Sequence, residues 1–253
     1  MVFGSADAYA RFMGRFSEPL APAFADLVDV PSDGRILDVG CGPGVLTAVL
    51  VERYGADRVD AIDPTPGFVE AARARLPGVD VRQGSAEELP WPDASYDAVL
   101  AQLVVHFMKD PARGLREMHR VAAPGAVVAA SVWDHPGGRG PLTPFWSAVE
   151  ELDPGGVAEA SAGSHEGELE RLFESAGLTD VRGGELSVTV PMASFEEWWA
   201  PYLTPAGSVG DYLASRTPEQ VSALRERCRD RLGDGPFEVT AWTWVATGRA
   251  PTR

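Results

Sequence analysis

Short apolar segments alternate with amphipathic ones along the first 130 residues of the chain. The apolar segments are rich in Val, Ile, Leu and Ala over their whole length, which is typical of strands that are buried on both faces of a sheet. They predict five strands, at residues 35–39, 59–62, 79–82, 96–101 and 126–132. Because helical segments separate these strands, the pattern indicates an α/β fold with a doubly wound, mostly parallel sheet.

Stop and start signals mark the helices between the strands. Residues 44–54 and 66–76 have helical patterns, and the first of these helices ends at Gly55. Asp110 is predicted to cap a third helix, with Pro111 at its first helical position. These signals agree with the strand pattern on either side of them.

The second half of the chain departs from this alternation. Residues 185–190 and 237–247 are predicted to be two further strands, which gives a seven-stranded sheet. Residues 133–163, rich in Gly and Pro, and residues 191–235 are predicted to be insertions with helices after the fifth and sixth strands. We interpret residues 1–253 as one domain whose insertions lie on the substrate side.

Cap signals predict three helices in this half. Ser194 and Thr217 are each followed three residues later by Glu or Gln, the pattern of a capping box. Ser164 is predicted to cap a helix that ends at Gly177, and the helix after Thr217 is predicted to end at Gly233.

Charge and cysteine content narrow the class of protein. The net charge is −15, from 22 Lys and Arg against 37 Asp and Glu, which disfavours binding to nucleic acid or to an anionic membrane. The sequence shows neither a secretory signal nor an apolar run long enough to cross a bilayer. Cys41 and Cys228 cannot form a disulfide framework, and no Cys/His cluster has metal-ligand spacing. We therefore expect a cytoplasmic protein without a metal site.

A glycine-rich segment lies between the first predicted strand and the first predicted helix. It reads Asp38-Val39-Gly40-Cys41-Gly42-Pro43-Gly44. Glycines allow a tight turn and a close approach by a ligand. In an open α/β sheet, a turn in this position lies at the carboxyl ends of the strands, where ligands bind. The segment therefore predicts the main ligand site.

The spacing of the glycines distinguishes between two ligand classes. A dinucleotide fingerprint, G-x-G-x-x-G, would place its third glycine at position 45, but that residue is Val45 and the third glycine is Gly44. The carboxylate of Asp38 would repel a diphosphate, whereas it could receive an amino group directly or through water. A nicotinamide-dependent oxidoreductase is therefore the less favoured alternative.

The segment from Leu37 to Gly44 resembles motif I of the class I S-adenosylmethionine-dependent methyltransferases, which have a Rossmann-like fold. Further matches follow in the family's order. Asp63 ends the second predicted strand 19 residues after Gly44, residues 84–92 resemble the adenine-contacting segment, and residues 96–106 resemble motif IV and its exit. The resemblance extends over roughly residues 30–132. It points to the small-molecule branch related to ubiquinone and menaquinone biosynthesis.

This resemblance implies S-adenosyl-L-methionine as the cofactor and S-adenosyl-L-homocysteine as its product. Asp38 would hold the methionine amino group, and Asp63 would accept both ribose hydroxyls. The family usually has Asp at the position that accepts a hydrogen bond from the adenine amine, where this chain has Ser85. The Ser85 hydroxyl can still accept that hydrogen bond, and Glu87 is a substitute acceptor. The Ala86 N–H could donate to the adenine ring nitrogen. The predicted cofactor-binding residues are Asp38, Gly40, Cys41, Gly42, Gly44, Asp63, Ser85, Ala86 and Gln102.

The acceptor side is predicted from less specific signals. His106 lies four residues after Gln102 and is the candidate general base, because imidazole titrates near neutral pH; a histidine here can also simply shape the pocket. Aromatic residues in the insertions can line a pocket for a planar or apolar acceptor, or can form a small satellite core. The candidate pocket residues are Tyr9, Met13, His106, Phe107, Trp133 and Trp199.

The N-terminal segment carries Tyr9, Phe12, Met13 and Phe16 at helical spacing. The resemblance implies that residues 1–30 form a helical lid over the cofactor, while plain core packing is the other interpretation.

The predicted activity is transfer of a methyl group to an O, N or C atom of a small organic molecule. Residues 101–104 lack the Asn/Asp-Pro-Pro-aromatic motif of DNA amino methylation, and neither cysteine follows a proline, as a cytosine-attacking thiolate would. A non-catalytic protein that binds S-adenosylmethionine or S-adenosylhomocysteine remains open, because no residue here is indispensable to the displacement.

Overall fold

The computed structural model describes residues 9–155, 162–204 and 207–252. Its strands are β1 (Ile36–Val39), β2 (Val59–Asp63), β3 (Asp80–Gln83), β4 (Tyr96–Gln102), β5 (Ala122–Trp133), β6 (Thr179–Met192) and β7 (Phe237–Arg249). They form one sheet in the order β3-β2-β1-β4-β5-β7-β6. The pairs among β1 to β5 are parallel, and β7 runs antiparallel to both of its neighbours. The predicted seven-stranded, mostly parallel sheet is confirmed.

Helices cover the sheet and fill the insertions. A π-helical turn (Ala10–Gly14) continues into α1 (Arg15–Ala25) at the N-terminal end. The remaining helices are α2 (Val45–Tyr54), α3 (Pro66–Arg75), α4 (Pro111–Val121), α5 (Thr143–Leu152), α6 (Glu168–Ser175), α7 (Phe195–Trp199), α8 (Gly207–Ala214) and α9 (Pro218–Leu232). Helices therefore follow the fifth and the sixth strands, as the sequence predicts. No helix in the described ranges is long and apolar enough to cross a membrane.

The core strands alternate their side chains between two apolar layers. Leu37 and Val99 pack on one face with Leu115 of α4, whereas Ile36 and Leu100 pack on the other face with α1 and α2. Successive side chains of a strand point to opposite faces, so a strand that is apolar throughout must be covered on both.

The cap predictions have different outcomes. Thr217 forms a full capping box with Gln220, and α9 ends at Gly233 as predicted. The prediction for Ser164 is wrong, because α6 begins at Glu168, directly after Gly167. Gly167 has a left-handed backbone, which bends the chain beyond the reach of a cap from Ser164.

A second apolar cluster lies outside the two sheet layers. It brings together the N-terminal turn, the insertion after β5, the far end of β6 and the helices before β7; its members include Phe12, Met13, Phe16, Trp133, Phe145, Phe195, Trp199, Tyr202 and Cys228. The strand order reverses between β1 and β4. Ligands of open α/β sheets bind at such a switch point, and this is where the glycine-rich segment lies.

Candidate functional site

The loop after β1 needs glycine at three positions. Gly40, Gly42 and Gly44 have φ values of +72°, +55° and +85°, a left-handed region that other L-residues rarely adopt. Gly40 is needed for space as well, because a Cβ atom there would collide with the side chain of Val104. The loop after β1 therefore lies directly against the loop after β4.

The amide groups of this loop are already committed to protein acceptors. The N–H groups of Gly40 and Cys41 donate to the Ile62 carbonyl at 2.7 and 3.0 Å, and Gly44 N donates to the Cys41 carbonyl at 3.0 Å. Gly42 N donates to Asp63 Oδ2 at 2.9 Å. Diphosphate sites use free, convergent backbone amides. This loop is not built as such a site.

Two carboxylates are buried beside the loop. Asp38, at the end of β1, is 1% exposed, and Asp63, at the end of β2, is 6% exposed. Thr47 of α2 donates its hydroxyl to Asp38 Oδ2 at 2.6 Å. Asp63 accepts from Gly42 N and from Thr65 N, the latter at 2.8 Å. A carboxylate offers about four lone-pair sites, so Asp63 keeps capacity for further donors.

Burial gives both carboxylates an unusual affinity for protons. Loss of hydration raises the pKa of Asp38 to about 7, opposed by the Thr47 hydrogen bond and reinforced by the negative charge of Asp63. Burial also raises the pKa of Asp63, against the hydrogen bonds from Thr65 and Gly42. Two neighbouring buried carboxylates favour a cation and repel an anion.

Gln102, the last residue of β4, joins the site to the N-terminal helix. Its Nε2 atom donates to the Ser17 carbonyl of α1 at 3.0 Å. A carbonyl can only accept, so this contact fixes the orientation of the amide. The other end, Oε1, is buried and has no hydrogen-bond partner among the described residues. Buried acceptors are nearly always satisfied, so Oε1 fits a ligand that carries a donor.

The segment after β3 has a different hydrogen-bond pattern from the one the sequence suggests. The Ser85 hydroxyl donates to the Glu87 carboxylate. The second oxygen of Glu87 accepts from the backbone of Lys109 at 2.7 Å. Glu87 therefore ties this segment to the start of α4 and is not a free acceptor. Ala86 is buried in the sheet layer next to α4.

The structure separates the six candidate pocket residues into groups. Trp133 and Trp199 are only 2% and 1% exposed and lie with Met13 in the second apolar cluster. Tyr9 is half-buried, with its ring edge-on to Phe68 at 5.5 Å between centroids.

The other two candidates lie next to each other after β4. Phe107 is 49% exposed, and its ring lies 3.9 Å from that of His106, centroid to centroid. Burial lowers the pKa of His106 to about 3, with a smaller effect from the nearby His135, so the imidazole is neutral. Its Nδ1 atom is buried and has no hydrogen-bond partner in the described part of the chain.

Sequence reasoning missed His135 and Thr47. His135 lies three residues after the predicted apolar strand 126–132, near the carboxyl end of β5, and that position could have marked it. Its ring centroid is 6.5 Å from that of His106. Thr47 lies nine residues after Asp38 on α2, and only the packing of α2 against β1 reveals their contact.

Residues 37–130 match the protein-family model described as a methyltransferase domain. This match confirms the resemblance to class I S-adenosylmethionine-dependent methyltransferases that the order of the motifs indicates. The matched segment begins in β1 and ends in β5.

Relatives and solved structures agree with this family. An uncharacterized methyltransferase of Mycobacterium tuberculosis is 44% identical over 133 residues, 52% of this chain and 51% of that protein. A trans-aconitate 2-methyltransferase of Methylobacterium nodulans is 33% identical over 127 residues, 50% of this chain and 48% of that protein. The chain therefore spans about half the length of the curated relatives it matches.

The same fold is found among solved structures at low sequence identity. The methyltransferase solved in complex with the Haloferax volcanii Trm112 methyltransferase activator has a TM-score of 0.59 and is 22% identical. The match covers 99% of this chain and 100% of that one. At this identity the likeness is one of fold.

Proposed function

We propose that this protein binds S-adenosylmethionine at the carboxyl ends of β1, β2 and β4 and transfers its methyl group to a small organic acceptor. The choice of this cofactor is supported by the matched family and by the two buried carboxylates. These carboxylates lie beside a loop whose amides already donate to protein acceptors. That combination suits a cationic sulfonium amino acid and opposes a dinucleotide diphosphate.

The residues present fit this cofactor. Asp38 and the unpartnered Gln102 Oε1 supply acceptors for the methionine ammonium group, and Asp63 has lone pairs left for the ribose hydroxyls. Cys41 contributes its backbone to the turn, since its thiol is buried and burial raises its pKa. At the adenine end, the Ser85 hydroxyl and the Ala86 N–H remain the proposed contacts.

The bound sulfonium supplies an activated methyl group with its leaving group already in place. The work left to the chain is to align the acceptor with that methyl group and to exclude water. Gln102 connects the proposed methionine contact to α1. This connection supports a role for the N-terminal helix as a lid over the cofactor.

His106 is our candidate for the residue that contacts the methyl acceptor. With a pKa of about 3 it is a weak base. It can orient the proton of an O–H or N–H group through a hydrogen bond. It can also take that proton once methylation has made the group strongly acidic. Phe107, beside it, would border the acceptor.

The acceptor is proposed as a class only. One relative is named for methylating trans-aconitate, but the matched residues cover half of that protein, and the segments that would contact an acceptor differ most among such enzymes. We place the reaction in the cytoplasm, with no nucleic acid or metal in it, on the basis of composition and charge.

A calorimetric and radiochemical test addresses this proposal. S-adenosylhomocysteine and NAD⁺ are titrated into wild-type protein and into Asp63→Asn, and labelled methyl transfer is measured on a panel of phenols, quinols, amines and carboxylic acids. We expect the wild-type protein to bind S-adenosylhomocysteine and not NAD⁺. The affinity of Asp63→Asn for S-adenosylhomocysteine should be lower by about tenfold or more, since the ribose loses a charged acceptor.

Asp80→Asn is the matched control, because Asp80 lies at the amino end of β3, away from the site. It should bind as the wild type does. Binding of NAD⁺ in place of S-adenosylhomocysteine would overturn the proposal. Binding of S-adenosylhomocysteine with no transfer to any acceptor class would favour the non-catalytic binder instead.

A further inference from the structure

His135 is a polar residue close to the proposed acceptor position. It has no role in the proposed cofactor site. It lies two residues after the end of β5, and His106 lies in the turn after β4. β4 and β5 are paired in parallel up to Gln102 and Ser131. The two histidines therefore lie at the same edge of the sheet as Gln102.

The separation of the two rings matches the length of a bridge through one atom. Their centroids are 6.5 Å apart, with the rings at 76° to each other. Two hydrogen bonds of about 2.8 Å that share one oxygen atom span a distance of this order. A neutral imidazole offers one donor and one acceptor nitrogen. A hydroxyl group matches this pair because it can donate to one ring and accept from the other.

His106 supplies independent evidence for a missing partner. Its Nδ1 atom is buried and unpaired within the described residues. Buried polar atoms are nearly always paired, so a ligand group with a complementary hydrogen-bonding atom would be stabilised beside this nitrogen. Burial lowers the pKa of both histidines, and the nearby Asp134 only partly opposes this at His135. Both rings are thus neutral and keep their donor and acceptor nitrogens.

The loop that carries His135 is fixed in place. Asp134 is 2% exposed, accepts from Gly137 N at 2.8 Å and pairs with Arg139 Nε at 2.6 Å. Asp134 N donates to the Trp242 carbonyl of β7. Gly140 leaves space for the imidazole, because a Cβ atom there would lie 2.6 Å from His135 Nδ1. Fixed side chains of this kind position ligands.

The charges around the pair also select among acceptors. Arg139 is committed to Asp134 and to Glu185, the latter at 2.6 Å. The nearby Asp134 is itself an acid. A negatively charged carboxylate would therefore meet repulsion and no free arginine from this loop, whereas a neutral hydroxyl would not.

We propose that His106 and His135 together hold a neutral hydroxyl of the methyl acceptor, with His135 as a positioning residue. This inference rests on the proposed function, because it assumes cofactor bound at the adjoining site. It favours phenol-like acceptors over the carboxylate acceptor for which one relative is named.

The test uses the fact that the chain has four histidines. Full-length protein with ¹⁵N-labelled histidine is saturated with S-adenosylhomocysteine and titrated with millimolar phenol, followed by imidazole NMR signals. Anisole, which lacks the hydroxyl proton, and benzoate, which is charged, are the comparison probes. His119, held by the Ala176 carbonyl at 2.8 Å, and the exposed His165 are internal references.

We expect the His106 and His135 signals to shift together with one dissociation constant, while His119 and His165 stay unchanged. His135→Phe should weaken phenol binding about tenfold, the effect of one lost hydrogen bond, with affinity for S-adenosylhomocysteine within twofold of wild type. His135→Gln, which keeps a donor and an acceptor, should recover part of the loss. Gly140→Ala should weaken phenol binding with both rings still present.

Several outcomes would overturn the assignment. These are phenol shifts at His106 alone or at neither histidine, benzoate binding as strongly as phenol, or a His135→Phe variant that binds phenol as the wild type does. If His135→Phe does not fold, His135→Gln and Gly140→Ala decide the question. Failure of S-adenosylhomocysteine to bind in the first step is a different result, because it refutes the proposed function itself and the inference falls with it.

Discussion

Burial of the Asp38 carboxylate lowers the stability of the unliganded protein, and we propose that the same carboxylate binds the cofactor. This carboxylate is fully buried next to Asp63 and accepts a hydrogen bond from the Thr47 hydroxyl. Burying a charge without a cation is unfavourable. A ligand that brings a positive group would remove this conflict, and we expect the unliganded protein to carry it as lost stability.

The burial of Asp38 makes the effect of Asp38→Asn on stability depend on pH. The folded-state pKa of Asp38, about 7, lies above the ordinary value of 3.8 for an aspartate. The contribution of Asp38 to the stability of the folded state is therefore fully present below pH 3.8 and is lost as pH rises through about 7. At pH 8 the variant should exceed wild type by about 1–4 kcal/mol in free energy of unfolding, and the gap should close toward pH 4.

Urea denaturation of the unliganded proteins at both pH values measures this effect. Asp80→Asn, which removes one negative charge at the far end of the sheet, controls for general relief of the negative net charge. A gap of the same size at both pH values, or an Asp38→Asn variant less stable than wild type at pH 8, would show that Asp38 is not the strained carboxylate.

The sequence predicts the positions of the candidate cofactor residues better than their contacts. Asp38, Asp63 and Gln102 stand at strand ends that the apolar pattern already marks. The Ser85–Glu87 bond and the Gln102 contact with Ser17 depend on side-chain directions that tertiary packing decides. No local pattern in the sequence carries that information.

Two loops meet at the edge of the sheet and depend on each other's shape. The turn after β1 needs a left-handed residue at Gly40, and the side chain of Val104 after β4 occupies the space beside it. Such close contact keeps the loop after β1 and the turn after β4 in register. Both strain and overlap therefore oppose a side chain at Gly40.

Gly40→Ala is predicted to destabilise the protein by about 1–3 kcal/mol through strain at positive φ and overlap with Val104. Gly67→Ala is the matched control, because Gly67 lies in α3 with open space around its Cβ position. That variant should be neutral or more stable by up to about 1 kcal/mol. Thermal and urea unfolding of the pair would refute this account if Gly40→Ala were as stable as Gly67→Ala.

The elements of the parallel half follow from the sequence because each strand is apolar throughout and is bounded by turn residues. The antiparallel half is harder to predict. β6 extends over Thr179–Met192, well beyond the predicted 185–190, and most of its first half is exposed. An edge strand with Gly183 and Gly184 inside it lacks the apolar signal of a buried strand.

The insertions are joined to the rest of the molecule through the second apolar cluster. The N-terminal turn and the helices before β7 share this cluster with Trp133 at the end of β5. Aromatic density in the sequence predicts both a pocket and a satellite core, and only the packed structure shows that Trp133 and Trp199 are buried. We therefore propose that the polar groups facing the acceptor come from the turns after β4 and β5.

At the scale of the whole molecule, we propose that a protein of net charge −15 binds a cationic adenosyl amino acid at the carboxyl ends of β1, β2 and β4. Such a ligand favours the ionised form of Asp38, so binding below its pKa of about 7 should release a proton. Affinity should therefore rise with pH up to that value and change little from this group beyond it.

The most direct test is calorimetric titration of S-adenosylhomocysteine at pH 6 in two buffers that differ in ionisation enthalpy. We predict saturable binding of one ligand per chain, with a heat that differs between the buffers because Asp38 releases its proton. The difference should be smaller in Asp38→Asn, where Asp63, whose pKa burial also raises, is left. Absence of saturable heat, or binding whose heat is the same in both buffers, would contradict this prediction.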